Sequence, residues 1–171
     1  MPVPPDTARL SFRDWSAVDL DAFHAICSDP RVTQFVGDGL PWEREQTAQF
    51  VSRNIAAATD HGYCQWALVH RVDACLIGYC GFAVTTNGPE IGWRLAPEYW
   101  RTGLATEAAR HVIRFGFGSL GFDRIIATVQ SANLASLRII EKLGMQTVKA
   151  FERHGREILL FQVDRSHAVA E

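Results

Sequence analysis

Hydrophobic and polar residues follow two periodicities along this chain, and the order in which they occur predicts its architecture. Alternation or enrichment in β-forming residues, typical of strands, marks segments at 9–13, 63–70, 75–84, 90–95, 124–129, 145–151 and 157–164. A period near 3.6, typical of amphipathic helices, marks segments at 16–28, about 41–58, 103–117 and 133–143. Turn residues separate the strands between 63 and 95, so we expect an antiparallel meander there.

The later segments alternate between helix and strand, which allows a parallel crossover after the meander. We therefore predict an α+β (α/β) fold with a central mixed, mostly antiparallel sheet flanked by helices. The sequence contains no repeat, low-complexity tract or linker, so residues 1–171 are interpreted as one domain, long enough to bury its own core. In the second helix the spacing predicts a buried side formed by Phe50, Val51, Ile55 and Ala58.

The charge of the chain argues against several classes of partner. The formal charge is -2 and Lys and Arg are scattered, so we expect neither nucleic acid nor a membrane surface as a partner. The opening residues MPVPPDTARL lack signal-peptide features, and no apolar run approaches the roughly 18 residues that span a bilayer. These features predict a cytoplasmic protein.

The cysteines and histidines show no metal-binding spacing. Four cysteines lie in apolar surroundings without a CxxC pair, and six histidines form no cluster with them. We expect buried, reduced thiols rather than disulfides, and no metal site.

The stretch EYWRTGLATEAA, residues 98–109, predicts an open helix start. Gly103 and Ala105 keep the first turn free of bulk, and Leu104, Ala108, Val112 and Phe115 share the face that packs on the sheet. The first N–H groups of a helix have no intrahelical partner and carry the positive end of the helix dipole, so an anion such as a pyrophosphate fits there. The alternative is an ordinary loop glycine.

Two motifs in order resemble the GNAT superfamily of acetyl-CoA-dependent N-acetyltransferases. The run from Trp100 to Ala105 resembles its acyl-CoA motif Q/R-x-x-G-x-G/A, with Trp at the first position as in the ribosomal-protein acetyltransferase branch, whose form is W-x-x-G-x-A-T-E-A. Asn133 and Ser136, followed by EKLGM at 141–145, also resemble that branch. The resemblance implies a GNAT-like fold and acetyl-CoA as cosubstrate.

The same resemblance implies where acetyl-CoA binds. It places the pyrophosphate on the backbone of Arg101, Thr102, Gly103, Leu104, Ala105 and Thr106, and the pantetheine arm near Trp93, Leu95 and Ala96. Asn133 is a further candidate for contact with the cosubstrate.

Acetylation of an amine requires removal of a proton, and Glu90 is the candidate proton acceptor. Strand alternation places Glu90 on one face with Gly92, where a bulge would free N–H groups to stabilise an oxyanion. The alternative is an exposed glutamate at a strand end. Many family members have a Tyr at the position of Ile140, so Ser136 becomes the candidate partner of the leaving thiolate; helix initiation by Asn133 and Ser136 is the alternative.

The favoured function is transfer of an acetyl group to a primary amine, on a protein N-terminus or a small metabolite. A non-catalytic acyl-CoA-binding regulatory module and a structural adapter are the alternatives, and both a monomer and a homodimer stay open. The expected acceptor groove, around Phe35, Val36, Trp42 and the turn 85–88, has few carboxylates nearby. A singly charged amine is therefore favoured over a polycation.

Overall fold

The computed structural model describes residues 2–167 of the chain and contains one seven-stranded sheet with α-helices on both faces. The strands are β1 (Leu10–Arg13), β2 (Gln65–His70), β3 (Cys75–Thr85), β4 (Gly88–Leu95), β5 (Arg124–Gln130), β6 (Gln146–Arg153) and β7 (Arg156–Asp164). The helices are α1 (Leu20–Cys27), α2 (Pro30–Thr33), α3 (Arg44–His61), α4 (Leu104–Gly118) and α5 (Leu134–Lys142).

The sheet is mixed, with the strand order β1-β2-β3-β4-β5-β7-β6. Strands β1 to β4 form an antiparallel meander, and β5, β7 and β6 form a second antiparallel group. Between the two groups β4 and β5 run parallel, joined through α4. This arrangement confirms the predicted mixed, mostly antiparallel α+β fold.

Two apolar layers hold the helices to the sheet. The larger cluster packs α4 and part of α5 against the sheet and contains the predicted inward face of α4: Leu104, Ala108, Val112 and Phe115. A Cβ on Gly116 would stand 2.7 Å from Cζ of Phe82, so α4 and β3 are in close contact there. The smaller cluster packs α1 and α3 near β2 and β3.

The helix α3 departs from its predicted start and inward face. It begins at Arg44 rather than near residue 41, because Glu43 caps it and the Glu43 backbone N–H donates to Oε1 of Gln46 at 2.7 Å. Phe50, Val51 and Ala58 are buried as predicted, but Ile55 is 40% exposed, so its predicted burial was wrong.

Asn54 takes the inward position instead of Ile55. Its side-chain Oδ1 accepts a hydrogen bond from the Gln65 backbone N–H at 2.8 Å, while its Nδ2 donates to the Phe50 carbonyl oxygen at 3.0 Å. A polar residue therefore occupies a core-facing slot because both ends of its amide are satisfied.

The segment predicted as one helix over 16–28 is divided. A 3-10 turn at Ala17–Asp19 precedes α1, and the buried Asp19 accepts hydrogen bonds of 2.7 Å from both terminal nitrogens of Arg13. The short helix α2 was not predicted; Asp29 caps it by accepting from the Arg31 backbone N–H at 2.8 Å.

All four cysteines are free thiols, as expected, and three are buried. Cys75 is exposed at the start of β3, contrary to expectation, with its Sγ 3.2 Å from Oη of Tyr99. Within residues 2–167, no helix combines the length and apolar character needed to cross a membrane.

Candidate active site

The separation of β4 from β5 opens the cavity that contains the candidate catalytic residues, which we call the main cavity. The two parallel strands share a single paired position, Glu90 with Ile126. Beyond this position, β4 stays paired with β3 and β5 stays paired with β7. A cavity of about 430 Å³ opens between them, lined by residues 90–94 of β4 and 127–130 of β5.

Glu90 lies at the point where the two strands part. Its side chain is half-buried and lines the cavity, while its neighbour Ile91 is buried in the larger apolar cluster. The Thr128 hydroxyl, on β5, donates a hydrogen bond to Oε1 of Glu90 and is the one hydrogen-bonding partner that residues 2–167 provide for this carboxylate. Glu90 is thus held across the gap with acceptor capacity left for a ligand.

Asn133 and Ser136 meet Glu90 at the same cavity. Oδ1 of Asn133 accepts from the Ser136 backbone N–H at 3.1 Å and caps α5, so the helix-initiation role is present. The cap engages the backbone of Ser136, and Ser136 lines the cavity. The Asn133 amide nitrogen is likewise not used by the cap.

The expected β-bulge at Gly92 is wrong. The β3–β4 register runs without a break from Gly78 paired with Leu95 to Thr85 paired with Gly88. Gly92 instead leaves room for the Gln65 side chain, because a Cβ there would stand 2.9 Å from Nε2 of Gln65. Backbone groups of β4 become open through the separation from β5 rather than through a bulge.

Several hydrogen bonds fix the loop before α4, and three of them involve Trp100 and Thr102. Nε1 of Trp100 donates to the Leu95 carbonyl oxygen at 2.7 Å, which ties the loop to the end of β4. The Thr102 hydroxyl donates to the Tyr99 carbonyl oxygen at 2.7 Å, and Nη1 of Arg9 donates to the Thr102 carbonyl oxygen at 2.9 Å. The loop is therefore preorganised.

Two positions of this loop have left-handed backbone conformations. Arg101 has φ of 61° and Gly103, the N-cap of α4, has φ of 83°. The first helical hydrogen bond runs from the Glu107 N–H to the Gly103 carbonyl oxygen at 3.0 Å, so the N–H groups of 104–106 precede it. A glycine cap without a side chain, next to open N–H groups at the positive end of a 15-residue helix, is suited to an anion.

A second concave surface of about 530 Å³ adjoins this helix start. Gly103 and Thr106 line it together with four cationic side chains, those of Arg9, Arg110, Arg114 and Lys142. No sequence motif marks these cations, although residues 106, 110 and 114 follow the four-residue spacing of one helix face.

Glu107 connects this surface to the N-terminal segment. Its carboxylate accepts from the Thr7 hydroxyl at 2.6 Å and from Nε of Arg9 at 2.7 Å. Burial pushes the pKa of Glu107 upward, but the hydrogen bonds from Thr7 and Arg9 and the charge of Arg9 hold it below its usual value. The pair orients Arg9 toward the Thr102 carbonyl.

The remaining candidate residues divide between surface and core. Trp93 lines the main cavity, whereas the side chains of Leu95, Ala96 and Leu104 are buried, so these three can offer only backbone groups to a ligand. Ala105 is half-buried, and Arg101 and Thr102 are exposed on the loop.

Several cavity residues carried no sequence signal. Thr128, Gln65 and Tyr79 come from strands distant in sequence, while Arg94 could have been noticed as a cation inside an apolar strand. Phe35 and Val36 line the cavity as expected, and Trp42 lies behind it against Arg94. Among the described residues, the turn 85–88 does not contribute to the lining.

Comparison with known proteins identifies the family. The sequence matches the acetyltransferase (GNAT) domain family over residues 9–146. It is 32% identical over 149 residues to the uncharacterized N-acetyltransferase YnaD of Bacillus subtilis, covering 86% of this chain and 85% of YnaD. A GNAT-family acetyltransferase of Bacillus anthracis superposes with a TM-score of 0.82 at 27% identity, covering 94% of this chain and 98% of that protein. The chain belongs to the GNAT acetyltransferase family.

The ribosomal-protein branch appears at greater distance. RimL, a ribosomal L7/L12 alpha-N-protein acetyltransferase solved in complex with coenzyme A, superposes with a TM-score of 0.81 at 15% identity, covering 95% of this chain and 98% of RimL. Likeness at this identity shows a shared fold. GNAT acetyltransferases take their acetyl group from acetyl-CoA.

The Glu107 network predicts a pH-dependent stability. Because folding lowers the pKa of Glu107, its ionised carboxylate stabilises the folded state at neutral pH. This stabilisation is lost as the pH falls from about 4.3, the ordinary pKa of a glutamate, through the lower pKa that Glu107 has in the folded state. We expect Glu107→Gln to lower the melting temperature at pH 7 by roughly 3 °C or more, and the difference to shrink at about pH 3.

Thermal melting of wild type and variant across this range measures the effect. The exposed Glu141→Gln on α5 is the matched control and should follow the wild type. An equal loss in Glu107→Gln at both pH values would contradict the electrostatic explanation.

Proposed function

We propose that the protein is an N-acetyltransferase that moves an acetyl group from acetyl-CoA to a primary amine. The observation that carries the proposal is the position of Glu90 at the parting of β4 and β5, in one cavity with Asn133 and Ser136. An anion-binding helix start at the loop that follows β4 supplies the second requirement, a place for the diphosphate of the donor.

The residues around Gly103 fit the donor's pyrophosphate. At the start of α4, the backbone N–H groups of residues 101–106 attract negative charge. The exposed guanidinium of Arg101 adds to this attraction. The cationic surface formed by Arg9, Arg110, Arg114 and Lys142 adds attraction for further phosphate charge. Trp93 and the backbone of Leu95 and Ala96 would then lie along the pantetheine arm, and Asn133 would offer its amide.

Acetyl-CoA supplies the acetyl group as a thioester, and the chain's residues must prepare the amine. A lysine-like amine with a pKa of about 10.4 is less than about 0.1% neutral at pH 7, and an α-amine near 8 is about one tenth neutral. Glu90 accepts the ammonium proton, directly or through one water, so that the nitrogen lone pair can attack the carbonyl carbon. Thr128 holds the carboxylate in place through its hydroxyl.

The edge of β4 and the helix α5 stabilise the two negative charges that develop, one on the carbonyl oxygen and one on the sulfur. Backbone N–H groups of β4 that no longer pair with β5 stabilise negative charge on the carbonyl oxygen. The Ser136 hydroxyl donates a hydrogen bond to the sulfur as the carbon–sulfur bond breaks, and the proton that the attacking nitrogen still has to lose ends on the CoA thiol. The cap on α5 fixes the position of Ser136 through its backbone N–H.

The acceptor is a protein N-terminus, as the resemblance to the ribosomal-protein branch suggests, or a small amine metabolite. The cavity lining contains one carboxylate, Glu90, and two arginines, Arg94 and Arg153. This balance disfavours a polyamine or an aminoglycoside, because neighbouring like charges raise the cost of binding a polycation.

Substitution of Gly103 tests the donor site. Gly103→Val places a branched side chain at φ of 83°, a conformation it adopts only with strain, and next to the proposed pyrophosphate. We expect the affinity for acetyl-CoA, measured by calorimetry, to fall at least about tenfold. Gly118→Val, at the open far end of α4, is the control and should bind like wild type. Absence of binding by the folded wild type would refute the donor assignment.

Substitution of Glu90 tests the proton acceptor. Glu90→Gln keeps the shape and a hydrogen-bond acceptor for Thr128 but lacks the charge, so kcat should fall by about 10²-fold or more while the affinity for acetyl-CoA stays unchanged. Glu152→Gln, exposed on β6, is the control. Rates are measured by release of the CoA thiol with a panel of primary amines. An undiminished rate in Glu90→Gln would show that Glu90 is not the proton acceptor.

A further inference from the structure

A buried arginine with no acidic partner lies in the wall of the main cavity. Arg94 shares the face of β4 that carries Glu90 and Gly92, lines the cavity and is 6% exposed. Among residues 2–167 no Asp or Glu oxygen lies within 4.0 Å of its guanidinium nitrogens. By contrast, partly exposed arginines are paired with carboxylates in seven cases, namely Arg9, Arg13, Arg31, Arg44, Arg71, Arg124 and Arg165.

The contacts of Arg94 orient the side chain without neutralising it. Its guanidinium carbon lies 4.0 Å from the ring centre of Trp42 and 5.5 Å from that of Tyr79. Nη1 donates to Sγ of Cys27 at 3.2 Å. Burial raises the pKa of the Cys27 thiol, against the opposing pull of Arg94, so the sulfur stays protonated and uncharged at neutral pH.

The guanidinium therefore keeps unused donors and an uncompensated charge. Nε of Arg94 is buried and has no hydrogen-bond partner among the described residues. Removing a cation from water without a counter-charge opposes folding, and such a group at a cavity wall is suited to a ligand that brings the missing negative charge. A guanidinium binds a carboxylate through two parallel N–H donors.

The position of Arg94 relative to Glu90 sets the kind of ligand. The two residues are four positions apart on one strand face, about 13 Å between Cα atoms at 3.3 Å per residue, and both side chains line the same cavity. Gly92, between them, has no side chain, and an added Cβ would meet Gln65 at 2.9 Å and Oη of Tyr79 at 3.9 Å. The Gln65 amide and the Tyr79 hydroxyl thus occupy the space over Gly92, and a small molecule in the cavity can lie against them with one end toward each charged group.

We propose that the acceptor is a free amino acid or a close analogue, with its carboxylate bound by Arg94 and its amine directed toward Glu90. The inference rests on the proposed acetyl transfer and narrows its acceptor from any primary amine to one that carries an acid group. Trp42 and Cys27 are positioning residues, because they hold the guanidinium without lining the cavity, whereas Tyr79 contacts Arg94 and also lines the cavity.

Matched acceptors test the proposal. Each of the common L-amino acids is compared with its carboxamide, which keeps the amine and side chain but lacks the negative charge, and with a short amidated peptide that has a free N-terminus. With acetyl-CoA, we expect kcat/KM of wild type to favour at least one acid over its amide and over the peptide by about 10-fold or more.

Arg94→Met should abolish that preference by slowing the acid while leaving the amide unchanged within about twofold. Arg53→Met, which removes an exposed cation from α3 outside the cavity, is the control and should keep the preference. The melting temperature of Arg94→Met should equal or exceed that of wild type, because a buried uncompensated charge is removed. A marked loss of stability with the acid preference intact would assign Arg94 to packing and overturn the proposal.

Binding without turnover separates this inference from the proposed function. Calorimetry with N-acetyl amino acids and their amides, in the presence of CoA, should show at least about tenfold tighter binding of the acid that is lost in Arg94→Met. Equal binding of acid and amide, or equal acetylation of acid, amide and peptide, overturns the anion site while acetyl transfer stands. If no amine is acetylated, the proposed function fails, and the binding comparison alone decides the anion site.

Discussion

The parting of β4 and β5 is the constraint on which the rest of the site depends. A parallel pair normally continues its hydrogen bonds along both strands, but here one paired position, Glu90 with Ile126, is followed by separation. Each strand keeps a partner on its other side, so the sheet stays continuous while two inner strand edges face a cavity. Because buried backbone groups need partners, an edge left open in this way favours a ligand with polar groups of its own.

The loop after β4 is held in a fixed conformation that is suited to binding a ligand. Trp100 ties the loop to the Leu95 carbonyl, and Arg9 ties it to the N-terminal segment, while Glu107 holds Arg9 from the first turns of α4. Three separate parts of the chain therefore determine the position of Gly103. Preorganisation of this kind lowers the entropy that a ligand must remove when it binds.

Sequence patterns predicted most of the fold because the large elements have strong periodicity. All seven strands and the helices α4 and α5 agree with the apolar rhythm to within a few residues. The failures have local physical causes: Asn54 displaces Ile55 from the core because its amide is fully hydrogen-bonded, and Asp19 with Arg13 accompanies a 3-10 turn where a continuous helix was expected. Side-chain pairing between distant segments decides such positions, and periodicity contains no information about it.

The candidate site could be predicted where it follows a motif along the chain, and not where it is assembled across the fold. Gly103, Asn133 and Ser136 belong to contiguous motifs, and Glu90 could be selected by strand position. Thr128 and the environment of Arg94 depend on which strands become neighbours and which helices cover them. A single sequence does not specify those contacts directly.

The two apolar layers divide the site between them. The α4 and α5 side of the sheet carries the helix start and the capped Ser136, whereas Trp42, Cys27 and Tyr79, around Arg94, belong to the layer of α1 and α3. Substitutions in the second layer can reshape the acceptor pocket while the first remains intact. The donor-binding loop and the acceptor pocket can therefore be altered separately, and Glu90, on the face of β4 that carries Arg94, belongs to the acceptor side.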